Sequence, residues 1–142
     1  MTVIGQSVLR PLSTDYCTNY PEGTPRRPDQ WKHCCLIHDM YFWAGGSKGE
    51  RYEADLELKN CIEASGARRM AQLVFLAVRA GSYSPIKYTN KKWNNGWQGR
   101  SDFRSLTGEE INLIEMELAR GYDFISFGYK DNFVKKLRSR LD

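Results

Sequence analysis

The chain has 142 residues, 41% hydrophobic, 27% charged and 13% aromatic, which is ordinary for a globular protein and excludes a disordered or fibrous one. That length is enough for one domain with one core and too short for two. A net charge of +4 and a pI near 8.9 favour anionic partners. The cations are nevertheless spread along the chain without a zinc-finger, RNA-recognition or helix-turn-helix signature, so no nucleic-acid partner is expected.

The longest apolar run, Leu73 to Val78, is far below the roughly 20 residues a membrane-spanning helix needs. The N-terminal sequence MTVIGQSVLRPL lacks the basic start and apolar stretch of a secretory signal.

In chain order, the Pro-rich stretch Tyr20 to Pro28 cannot continue a helix and reads as an ordered loop. A helix is predicted from Asp29 to Trp43, ended by the pair Gly45 and Gly46. Ser47 with Glu50 is a capping-box pattern that starts a second helix to about Ser65, with Gly66 as terminator. A third helix spans Ala67 to Ala80, with Gly81 ending it, and Ser82 to Leu106 reads as a long irregular segment. Thr107 with Glu110 opens a helix to about Arg120, and an amphipathic helix runs from Asp131 to Leu141. Strand signal is weak everywhere. The expected fold is all-α, one domain over 1–142.

The first helix carries the most informative pattern. At about 100° per residue, Trp31, Cys35, His38 and Phe42 share one face, while Leu36, Ile37, Met40 and Trp43 cover much of the rest. Such a helix is interior, and His38 and Asp39 in its middle then need partners. On the second helix Asp55 sits at the edge of the arc of Ala54, Leu58, Cys61 and Ile62, the one carboxylate there turned toward the core. An inward Asp facing an inward His is a natural pair. A lone inward His is more often a satisfied core residue than a catalyst; the surrounding constellation reverses that order.

CCLIHD, Cys34 to Asp39, resembles the CCxxHD active-site motif of secreted phospholipases A2. Asp55 followed by Cys61 resembles the family's second motif, and STDYCT, Ser13 to Thr18, resembles the calcium-loop segment of its prokaryotic and fungal-type members. The resemblance extends from about Ser13 to Ser65; nothing beyond Gly66 is recognisable. It implies a small phospholipase A2-like helical fold, with two long antiparallel helices joined by disulfides. His38 would activate a water, Asp55 would orient His38, and Asp39, Asp15 and the Tyr16 carbonyl would bind calcium.

These roles make chemical sense apart from the family. Neutral imidazole is a good general base near pH 7, and a carboxylate on its other nitrogen fixes the tautomer. Calcium takes oxygen ligands and would polarise the ester carbonyl. The structural alternatives are an Asp39 paired with a nearby cation and an Asp15 that merely caps a turn.

Four cysteines admit three pairings, and spacing alone does not choose. The resemblance implies Cys17 with Cys35 and Cys34 with Cys61, hence an oxidising compartment and a secreted or periplasmic protein. The chain departs from the family where a Tyr usually stands four residues after the His and bonds the orienting Asp; that position is Phe42, and Tyr52 is the substitute considered. A Gly-rich calcium loop is also absent, with only Gly23 between Cys17 and Cys35, which implies weak calcium affinity.

The segment Tyr83 to Trp97, with Lys91, Lys92, Trp93 and Trp97, mixes cations and aromatics as peripheral contacts with a phospholipid membrane surface do; its alternative is a solvated loop whose Trp rings pack inward. The expected function is calcium-dependent hydrolysis of the sn-2 ester of glycerophospholipids. Two rivals stand beside it. One is a non-catalytic protein of the same fold that binds lipid or a protein partner. The other is a zinc module using His33, Cys34, Cys35 and His38, although adjacent cysteines chelate poorly compared with a CxxC pair.

Overall fold

The computed structural model describes residues 2–4, 7–17, 20–83, 96–98 and 103–141. Two short strands come first, β1 (Thr2–Ile4) and β2 (Ser7–Leu9), paired antiparallel. The loop that follows leads into α1 (Lys32–Ala44), and α2 (Lys48–Ala64) begins after only Gly45, Gly46 and Ser47. Next come α3 (Arg68–Tyr83), β3 (Trp97–Gln98), α4 (Gly108–Leu118) and α5 (Phe127–Ser139). The described chain is mostly helical, and the expected all-α class holds to that extent. The sheet β1-β2-β3 was not expected from the sequence.

Helix ends follow the local chemistry. Ser47 Oγ accepts from the Glu50 amide at 3.1 Å while Glu50 Oε1 accepts from the Ser47 amide at 2.8 Å, a complete capping box at the predicted place. Thr107 and Glu110 make the same pair of bonds for α4. Gly45 at φ 85° and Gly46 at φ 137° occupy backbone space that L side chains rarely enter, which lets α1 stop and α2 start within three residues.

Three boundaries differ from expectation, the first being that α1 begins at Lys32 rather than Asp29, after a turn over 29–31. α3 runs through Gly81: nothing lies within 4 Å of where its Cβ would be, so the residue is an ordinary mid-helix glycine costing about 1 kcal/mol, not a cap. α5 begins at Phe127, because the Ser126 hydroxyl accepts from the Tyr129 amide at 3.2 Å and caps it.

Cross-links between α1 and α2 step in opposite directions along the two helices. Cys34 bonds Cys61, His38 bonds Asp55, and Arg51 stacks on Phe42 at 5.0 Å, so the helices run antiparallel. The other disulfide joins Cys17 to Cys35 and fastens the preceding loop to α1. Both expected pairings are present. With sequence separations of 18 and 27 residues, each restricts the unfolded chain by about 3 kcal/mol in the chain-entropy model.

Two apolar clusters flank α1. One gathers Trp31, Leu58, Ile62, Ala71 and Val74 around the disulfides, holding α2 against α3. The other packs Met40, Phe42 and Trp43 against Ile111, Ile114 and Leu118 of α4 and Phe133 and Leu137 of α5. The sheet docks on the C-terminal end of α1: Trp97 Nε1 donates to the Ala44 carbonyl at 2.8 Å, and Trp43 Nε1 donates to the Arg10 carbonyl at 2.8 Å.

Candidate functional site

His38 sits in the middle of α1 and Asp55 in the middle of α2, 5% and 0% exposed. The antiparallel packing brings His38 Nε2 to 2.6 Å from Asp55 Oδ1. Facing a carboxylate, Nε2 is assigned the proton and donates it, which leaves Nδ1 as an acceptor. The Phe42 ring lies 4.4 Å from the imidazole, centroid to centroid, and helps to immobilise it. Phe42 thus packs on His38 at the position four residues after it.

The second oxygen of Asp55 accepts from Arg79 Nη1 of α3 at 2.8 Å. The sequence reading missed this residue. Helical periodicity gives little signal for it: at about 100° per residue Arg79 lies well around α3 from the face of Val74 and Val78, and only Phe75, one turn earlier, is near its side. Tyr52, considered as the partner of Asp55, is 44% exposed; its ring instead carries the Arg79 guanidinium at 4.7 Å and meets Phe75 edge-on at 6.2 Å. A charged, planar donor from α3 does the bonding, and the Tyr braces it.

Asp39 follows His38 and points to another neighbourhood. Its Oδ2 accepts from Thr14 Oγ1 at 2.5 Å, and the same hydroxyl oxygen accepts from the Tyr16 amide at 2.9 Å. Thr14, also missed in the sequence, therefore ties the Ser13–Cys17 segment to α1, alongside the Cys17–Cys35 bond. Tyr16 takes φ 57°, a left-handed conformation uncommon for a non-glycine residue. Its ring is held by Lys32 Nζ at 4.4 Å and by Phe124 at 6.4 Å.

Electrostatics distinguish this corner. Burial pushes the Asp39 carboxyl from 3.8 up to about 7; the Thr14 hydrogen bond opposes the rise and the exposed Asp15 carboxylate adds to it. Among the described residues no cation pairs with Asp39, so an ionised Asp39 is a buried negative charge beside a second one. Tyr20 feels both acids: burial first, then the charges of Asp39 and Asp55, drive its hydroxyl strongly upward, and it stays a neutral phenol.

An apolar cavity of about 120 Å³ opens beside His38, lined by Ile37, Tyr41, Ala54 and Leu58. Ile37, Tyr41 and Glu57 are shared with a larger cavity of about 320 Å³ against α5, where Met40 and Phe133 add apolar wall. The Glu57–Lys136 ion pair, at 2.9 Å, lies on that second cavity.

Comparison with protein-family models, with curated proteins and with solved structures finds no match to this chain.

Lys91, Lys92 and Trp93 lie outside the described residues. Trp97, expected among the interfacial contacts, is 1% exposed and bonded to the end of α1, so it belongs to the core; its indole both fills space and satisfies the Ala44 carbonyl. The zinc alternative fails on covalent grounds. His33, Cys34 and Cys61 do bring ligand atoms within 4.8 Å of one another, but the two sulfurs are bonded to each other, and Cys35 is bonded to Cys17. Among the described residues no helix is long and apolar enough to cross a membrane.

Proposed function

We propose that this chain is a calcium-dependent hydrolase of phospholipase A2 type, cleaving the sn-2 ester of glycerophospholipids in an oxidising, secreted or periplasmic setting. The observation that carries the reading is the His38–Asp55 bond at 2.6 Å through Nε2, next to an apolar cavity; with the proton assigned to Nε2, Nδ1 is an acceptor. A core histidine satisfied by Asp55 alone would explain the bond but not the neighbouring uncompensated Asp39 or the cavity.

The donor set fits a hard cation. Asp39 offers a buried carboxylate without a cationic partner among the described residues, Asp15 a second negative charge, and Tyr16 a backbone carbonyl in a segment fixed by Thr14 and a disulfide. Calcium held there would supply Lewis-acid stabilisation of the ester carbonyl and the substrate phosphate.

The protein's own residues then divide the work. His38 Nδ1 accepts the proton of an attacking water. Asp55 holds the ring by its other nitrogen and stabilises the imidazolium that forms. His38 then returns the proton to the departing lysophospholipid oxygen, restoring the neutral ring. The cavity walls Ile37, Tyr41 and Leu58 suit apolar substrate atoms such as those of an acyl chain.

Fatty-acid release from mixed phospholipid vesicles, with calcium and with a chelator, tests the reading. Calcium-dependent release of sn-2 acid is expected. Vesicle binding without release would favour the non-catalytic, lipid-binding alternative.

A further inference from the structure

We infer that Arg79 is a positioning residue for the proposed reaction: from α3 it holds Asp55 in the single orientation that keeps His38 Nε2 protonated and Nδ1 free to accept. The inference rests on the hydrolase reading of the His38 site.

Asp55 is fully buried and uses its two oxygens for two different helices, Oδ1 for His38 at 2.6 Å and Oδ2 for Arg79 at 2.8 Å. A carboxylate bonded through one oxygen can turn about its terminal torsion and exchange oxygens, because that torsion is broad and roughly two-fold. Donors fixed at both oxygens remove this freedom. The plane of the carboxylate then fixes the plane of the imidazole, and a fixed carboxylate on Nε2 disfavours the tautomer protonated on Nδ1.

Arg79 is itself constrained. Its side chain is 15% exposed and its guanidinium stacks on Tyr52 at 4.7 Å, while Tyr52 rests on Phe75, one turn before Arg79 on the same helix. The guanidinium's flat donor array suits an in-plane bond to a carboxylate better than a lysine ammonium would. Ala71 and Val74 pack α3 against α2, and the Arg79–Asp55 bond connects the helix to the His38 pair.

The test uses the full oxidised chain with calcium saturating, a short-chain monomeric phosphatidylcholine as substrate, and one fixed pH. Arg79→Ala is expected to lower kcat about 10- to 100-fold, the loss of one charge-assisted hydrogen bond, with KM within about twofold. Guanidinium ion at low, non-denaturing concentration should restore part of that loss by filling the vacated space. A variant that is merely less stable would be harmed by the same additive. Nitrogen chemical shifts of the neutral His38 imidazole give a readout independent of turnover: one Nε2-protonated tautomer in the parent, a mixture in Arg79→Ala, and recovery with guanidinium.

An unchanged kcat, an unchanged tautomer, or a kcat loss that guanidinium deepens would overturn the role of Arg79. Should Arg79→Ala not fold, Arg79→Gln is measured under the same criteria. His38→Ala separates the two levels: if it matches the parent, the hydrolase reading fails, whereas an inactive His38→Ala beside a parent-like Arg79→Ala overturns Arg79 alone.

Discussion

Thr14 and Asp39 are 25 residues apart in sequence and joined by a hydrogen bond of 2.5 Å, through which the segment before the first disulfide is fastened to the residue beside the histidine. The Thr14 hydroxyl also receives the Tyr16 amide, so one oxygen orders both a carboxylate and a stretch of backbone. Thr14→Val keeps the shape and removes these bonds. Calcium affinity measured by calorimetry is expected to fall about tenfold, the worth of a hydrogen bond to a charged group. Unchanged affinity would mean that this segment does not contribute to the cation site.

Calcium-free protein should show a particular pH dependence of stability. The Asp39 carboxyl is raised from 3.8 to about 7 in the folded state, chiefly by burial. A raised folded-state value gives stability that is complete below the unfolded value and is lost as pH rises through the folded one. The loss therefore falls between about pH 4 and 8, and is on the order of 4 kcal/mol at most. Chelator-treated protein should melt at a lower temperature at pH 8 than at pH 5, and Asp39→Asn should flatten much of that slope. An identical slope in the variant would remove Asp39 as its source.

Trp97 provides a prediction about the core. Fully buried and bonded to the Ala44 carbonyl, it should cost about 3–5 kcal/mol of unfolding free energy when replaced by Ala, read from denaturant melts. A variant of normal stability with weakened vesicle binding would return Trp97 to the membrane-surface role that its neighbours in the sequence suggested.

Features encoded within one helix or one short motif were legible in the sequence. His38 and Asp55 could be set facing inward by helical periodicity, and the Ser47–Glu50 and Thr107–Glu110 boxes announced two helix starts through bonds that span three residues. Arg79 was not legible, because its meaning lies in where α3 crosses α2, which tertiary packing decides. Thr14 was hidden for the same reason. The strands were missed because segments of two or three residues are too short to show alternation, and β3 pairs with β2 across most of the chain. The α5 start was missed because Ser126 caps it without the acidic partner of a capping box.

The three central residues should separate by function. Asp39→Asn should weaken calcium binding first and activity with it, since it removes a full negative charge facing the ion. Asp55→Asn should keep the fold and lose roughly 10- to 1000-fold in rate, less than the ~10,000-fold cost of the analogous change in a serine triad, because calcium would still carry the electrophilic work.

The most direct measurement is fatty-acid release by His38→Ala in saturating calcium, with calcium binding followed in the same preparation. Release should be abolished while calcium affinity stays close to that of the parent, because the imidazole activates water and is not a ligand. Full release by the variant would contradict the role given to His38 and, with it, the proposed function.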